Sequence, residues 1–176
     1  MLRPTALALV LLPLLWPAVP RADQAAPEGE TPLAVAQLAT ARSQMVVTAN
    51  PLASAAGQEI LRAGGSAADA AIAALLVLGL VEPQSSGLGG GAYWLQFDAE
   101  AGALHAYDGR ETAPATATPD WFLDAGGEER DFLDAVKSGR SVGVPGYVAL
   151  LKLVHERHGR LPWAELFVPA VRLAEA

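Results

Sequence analysis

Residues 67–81 carry one polar side chain, Asp69, in an otherwise unbroken series of alanine, leucine, isoleucine, valine and glycine. A helix of that composition has no face to offer to water, so it must lie in a core with neighbours on most sides. Its ends are marked. Ser66 and Asp69 form a Ser-x-x-Asp variant of the capping box, and Pro83 closes the far end. The many alanines let a sheet or another helix come close, which predicts a layered α/β core rather than a surface helix.

The flanking segments supply the layers. Met45-Val46-Val47-Thr48 is rich in β-forming residues, and Asn50-Pro51 then places a helix cap before a proline at the first helical position. That helix runs to Arg62 and stops at Gly64-Gly65. Residues 92–97 and 103–107 read as two antiparallel strands joined by a short turn. A short helix is expected around residues 131–137. The loop 141–146 leads into a helix with Leu150, Leu151 and Val154 in its apolar stripe, and Pro162 and Pro169 each begin a further helical piece. The last residues, 168–176, hold a helical pattern with no glycine or proline stop, so the chain reads as cut at its carboxyl end.

With 52% hydrophobic and 18% charged residues, the 176-residue chain can bury one sizeable core. A formal net charge of −7 and no basic patch argue against a nucleic-acid partner. Cysteine is absent, which rules out disulfides, thiolate metal sites and a cysteine nucleophile. The first residues, Met1-Leu2-Arg3-Pro4, precede an apolar run over 5–19 that is short for a bilayer span and interrupted by Pro13 and Pro17. This is the pattern of an export signal, placed at residues 1–22; its end can fall at Ala22, Ala25 or Ala26, and an uncleaved anchor is the other reading. Residues 23–44 mix proline, glutamate, glycine and alanine without period and are expected to be a linker, with the folded domain over 45–176. The expectation is an exported protein, periplasmic or secreted, touching a membrane only through its signal.

Two segments can carry chemistry. Residues 87–92 formally match the G-x-G-x-x-A dinucleotide pattern, but a helix precedes them and a strand follows, the reverse of what a pyrophosphate site needs. A tight helix-to-strand connection is the better reading, so no cofactor is expected. In Asp108-Gly109-Arg110-Glu111-Thr112-Ala113-Pro114, an arginine stands just past a strand end, where its planar fork suits a carboxylate. By itself the segment reads more readily as a surface Arg-Glu ion pair worth little.

The remaining candidates are weaker. His105 lies in a strand without a serine or acid partner by any motif. His155 and His158 share a helical face expected to be solvated, and His-Glu-Arg-His is not the His-Glu-x-x-His zinc pattern. No metal site is expected. Ser85 and Ser86 do not form a nucleophile elbow. Thr112, Thr116 and Thr118 read as turn or cap residues. Trp121, Phe122 and Phe132 are expected to anchor a loop-rich region by packing.

Five ordered blocks, at 45–74, 82–98, 107–115, 141–151 and 161–176, make the chain similar to the gamma-glutamyltransferases over nearly all of its length after the linker. The resemblance implies an N-terminal nucleophile hydrolase, an αββα sandwich of which this chain is the amino-terminal, large-subunit part. It further implies a precursor that cuts itself, freeing the amino-terminal threonine of a small subunit as nucleophile. That small subunit and a small γ-glutamyl substrate are the implied partners. The expected reaction moves the γ-glutamyl group of glutathione or a related amide to water, an amino acid or a dipeptide. Arg110 matches the arginine that binds the substrate α-carboxylate, and Glu111 matches the adjacent acid, given a supporting part. No catalytic residue is expected in this chain, which on this reading is inactive alone. The rival readings are a cephalosporin acylase-like amidase of the same superfamily and a non-catalytic exported binding module; Arg110 favours a glutamyl substrate.

Overall fold

The computed structural model of the chain describes residues 38–176. The expected signal, 1–22, and the linker as far as residue 37 lie outside the described residues. Residues 38–44 form neither helix nor strand.

Helix α1, Pro51–Arg62, opens as its sequence dictates: the Asn50 side chain accepts the N–H of Leu52, and Pro51 fills the first turn. Helix α2, Ala67–Val81, has both halves of the capping box, Ser66 Oγ accepting from Asp69 N–H and Asp69 Oδ2 from Ser66 N–H. Strands β1, Ala92–Asp98, and β2, Ala103–Gly109, form one antiparallel hairpin with Ala92 opposite Gly109 and Asp98 opposite Ala103. The second strand therefore runs two residues further than its apolar pattern, and Arg110 is the first residue off its end. Helix α3, Phe132–Lys137, is capped by Asp131, and helix α4, Tyr147–His158, follows the loop 141–146. A 3₁₀ turn, Trp163–Phe167, leads into helix α5, Val168–Ala174.

The apolar helix sits where its composition requires. α2 packs against α1, α4, α5 and the 3₁₀ turn, with Ile72, Ala73 and Val77 almost fully buried. Trp94 of β1 and Leu150, Leu151 and Val154 of α4 join Ile72 and Leu166 in one cluster. Each such aliphatic side chain contributes roughly 1.5–3 kcal/mol relative to exposure. Helices thus cover one face of the hairpin. The alternate residues Tyr93, Leu95, Phe97 and Leu104 point the other way and stay largely exposed.

Three expectations need correction. The β-rich segment Met45–Thr48 forms no strand and pairs with neither described strand; Val46 instead packs on the α2 cluster. Phe132 is 75% exposed and Phe122 is exposed too, so neither anchors its loop. His155 and His158 are not on a solvated face. His155 Nε2 donates to Leu161 C=O at 2.8 Å and its ring lies against Trp163, while His158 Nε2 is 2.7 Å from the Tyr107 hydroxyl.

Candidate functional site

The end of β2 delivers Asp108, Gly109, Arg110 and Glu111 into a turn that the sequence itself shapes. Asp108 Oδ1 accepts the N–H of Arg110 at 2.9 Å, bending the chain as it leaves the strand. Beyond it, Thr112 and Val144 exchange backbone hydrogen bonds, Thr112 N–H to Val144 C=O at 3.4 Å and Val144 N–H to Thr112 C=O at 2.9 Å. This two-residue ladder brings the 141–146 loop beside Arg110. Tyr147 N–H, at the start of α4, donates to Gly90 C=O at 3.0 Å and brings in the glycine-rich turn as well.

Three segments therefore converge, with little room between them. A methyl group on Gly91 would stand 2.6 Å from Gly109 O, 2.7 Å from Glu111 Oε2 and 2.8 Å from Arg110 Cα. One on Gly143 would stand 2.8 Å from Glu111 Cβ, and one on Gly146 would run into the Gly109 carbonyl. Gly91 and Gly146 are here because backbones touch, and Gly143 because the Glu111 side chain lies against it. Gly143 and Gly146 were not singled out by the sequence pattern. Their only signal was a pair of glycines flanking Val144-Pro145 just before a helix.

Arg110 and Glu111 are brought together: Arg110 Nε lies 3.2 Å from Glu111 Oε2. The acid is one-third exposed and the arginine 63% exposed, so the pair has an anchored member and a presented one. Among the described residues the terminal Nη groups of Arg110 make no hydrogen bond to the protein, which leaves donors for a ligand. A depression of 260 Å³ beside them is lined by Asp108, Arg110, Thr112, Pro145 and Leu153, among others. Below the turn, burial pushes the Tyr147 phenol above its ordinary range, with the nearby Ser86 side chain acting in the opposite sense.

The histidine candidates stay apart from this site. His105 and His158 are tilted neighbours, 5.4 Å between ring centroids, on the α4 side of the hairpin. Among the described residues no three histidine, cysteine, aspartate or glutamate side chains could hold a metal ion, and no helix is long and apolar enough to cross a membrane. Thr112 is held through its backbone by Val144.

A family model described as Gamma-glutamyltranspeptidase matches residues 53–176. The glutathione hydrolase proenzyme of Bacillus subtilis (strain 168) is 40% identical over 139 residues, covering 79% of this chain and 24% of that protein. The crystal structure of Helicobacter pylori gamma-glutamyltranspeptidase aligns with a TM-score of 0.72 at 34% identity, over 78% of this chain and 39% of that one. Cephalosporin acylase from Bacillus halodurans aligns with a TM-score of 0.60 at 31% identity, over 84% of this chain and 28% of that one. The chain thus spans about a quarter of the length of the curated relative it matches.

Proposed function

The chain belongs to the gamma-glutamyltranspeptidase family, and from that premise we propose that the complete protein moves the γ-glutamyl group of glutathione or a related γ-glutamyl amide to water, an amino acid or a dipeptide. The fold is of the N-terminal nucleophile hydrolase type, α/β, with helices on one face of the described hairpin. The exposed face of Tyr93, Leu95 and Phe97 is, on this proposal, covered by the rest of the αββα sandwich.

The observation that carries the proposal is the presented guanidinium of Arg110, held through Nε by Glu111 and, among the described residues, with its Nη groups free of protein hydrogen bonds. Such a fork donates two parallel bonds to a carboxylate, and a γ-glutamyl group carries one at its α-carbon. Fixing that end places the γ-amide for attack and converts a bimolecular step into an effectively unimolecular one. In the proposed chemistry the small-subunit threonine attacks the amide carbon, its amino group takes the hydroxyl proton, and the leaving amine departs protonated. Water or an acceptor amine then opens the acyl-enzyme. None of Thr112, Thr116 and Thr118 is assigned to that role. Glu111 supports Arg110 and takes no part in the bond changes.

We place the export signal at 1–22, the linker at 23–44 and the domain at 45–176, with the protein exported to the periplasm or the medium. An acylase reading draws on the likeness to cephalosporin acylase, but a carboxylate-binding arginine has less to do for an acyl group without an α-carboxylate. The test is to express the full-length precursor and follow self-cleavage on a gel together with release from a γ-glutamyl anilide. Two subunits and γ-glutamyl release are expected. A precursor that stays intact and inactive, yet binds glutamate, would favour the binding module.

A further inference from the structure

Glu111 is bedded between two glycine segments that are far apart in sequence. Its carboxylate lies against Gly90 and Gly91, where a methyl group would be 3.4 Å from Oε1 and 2.7 Å from Oε2 respectively. Its Cβ lies against Gly143, where a methyl group would be 2.8 Å away. The same Oε2 meets Arg110 Nε at 3.2 Å, so the position of the Glu111 carboxylate bears directly on the orientation of the guanidinium. Gly143 in turn is held next to the Thr112–Val144 ladder, from which residues 113–143 hang as one long excursion.

We propose that Gly91 and Gly143 are positioning residues for recognition of the substrate α-carboxylate: lacking side chains, they form the slot that sets the Glu111 carboxylate, and through it the angle at which Arg110 meets its ligand. This rests on the reading of Arg110 as the carboxylate-binding residue. The arginine side chain is 63% exposed, and among the described residues Glu111 is its only ion-pair partner. A ~1 Å shift of the acid would leave the positive charge in place and spoil the two-bond geometry, the part of the interaction that separates a fork from a point charge.

The test uses the full-length, self-cleaved enzyme and two substrates, a γ-glutamyl anilide and the 4-aminobutyryl anilide that lacks only the α-carboxylate. Gly143→Ala is expected to raise KM for the γ-glutamyl substrate about tenfold, with a much smaller change in kcat, and to alter kcat/KM for the carboxylate-free substrate less than about twofold. On an Arg110→Ala background the same change should add little, because the two residues act through one contact. Glu111→Asp crowds nothing and draws the carboxylate back by one methylene, so it should reproduce the signature even where Gly143→Ala impairs maturation. Equal losses on both substrates, or no change in KM from either variant, would overturn the slot. If Arg110→Ala itself leaves the preference between the two substrates at the wild-type value, the carboxylate reading falls and the slot with it. If Arg110→Ala collapses that preference while Gly143→Ala and Glu111→Asp do not, only the slot is wrong.

Discussion

The Asp69 carboxylate, fully buried at the first turn of α2, accepts the backbone N–H of Arg160 at 2.8 Å across ninety-one residues of sequence. The same oxygen also accepts from Leu161 at 3.1 Å and Ser66 at 2.9 Å, so one side chain ends three backbone donors. Asp69→Ala would leave those donors without their acceptor in a dry site. We expect a loss of about 3 kcal/mol in urea unfolding with an unchanged m-value, and a smaller loss for Asp69→Asn, which keeps one acceptor.

That residue also marks where the sequence was readable and where it was not. The capping box of α2, the Asn50-Pro51 start of α1 and the hairpin are written in neighbouring residues, and each forms as expected. The second task of Asp69 depends on a turn that reaches it only after α4 has folded back, and no local spacing reports that. The setting of His155 is hidden from local sequence for the same reason: its surroundings, Trp163, Leu161 and Asp69, come from other segments. Within the site, Arg110 and Glu111 are sequence neighbours and could be read as a pair. Their glycine bed could not, because it draws on residues on both sides of the pair that meet only in the folded chain.

Trp121 and Arg140 close the 113–143 excursion on itself. Trp121 Nε1 donates to Arg140 C=O at 2.9 Å, Arg140 Nη1 donates to Trp121 C=O at 2.7 Å, and the guanidinium lies 5.0 Å from the indole centroid. Neither residue enters the α2 cluster. Trp121→Ala should therefore speed proteolytic cutting between residues 121 and 140 severalfold while leaving the global unfolding midpoint close to wild type. A large drop in the midpoint would show that the excursion is part of the core.

Stability should fall at both ends of the pH scale, for separate reasons. Hydrogen bonds from Asn50 and Gln84 hold the Glu82 carboxyl below its ordinary range, and backbone N–H groups do the same for Asp98 and Asp124. The folded chain then binds fewer protons than the unfolded one in the carboxylate range. The stabilisation is present above the unfolded pKa values and is lost as pH falls through the folded ones. Tyr147 works in the opposite direction, since burial raises its phenol and the unfolded chain ionises first, so stability is lost as the medium becomes strongly alkaline. Tyr147→Phe should flatten the alkaline limb and Asn50→Ala the acid one, as read from unfolding midpoints across pH.

The central claim is that Arg110 recognises the α-carboxylate of a γ-glutamyl group, and the most direct measurement is steady-state turnover of a γ-glutamyl anilide by the full-length enzyme carrying Arg110→Ala or Arg110→Lys. The account predicts intact self-cleavage, a KM raised about a hundredfold by alanine and only partial recovery with lysine, which restores the charge without the fork. A KM within about twofold of wild type for Arg110→Ala, in enzyme that has cleaved normally, would contradict it.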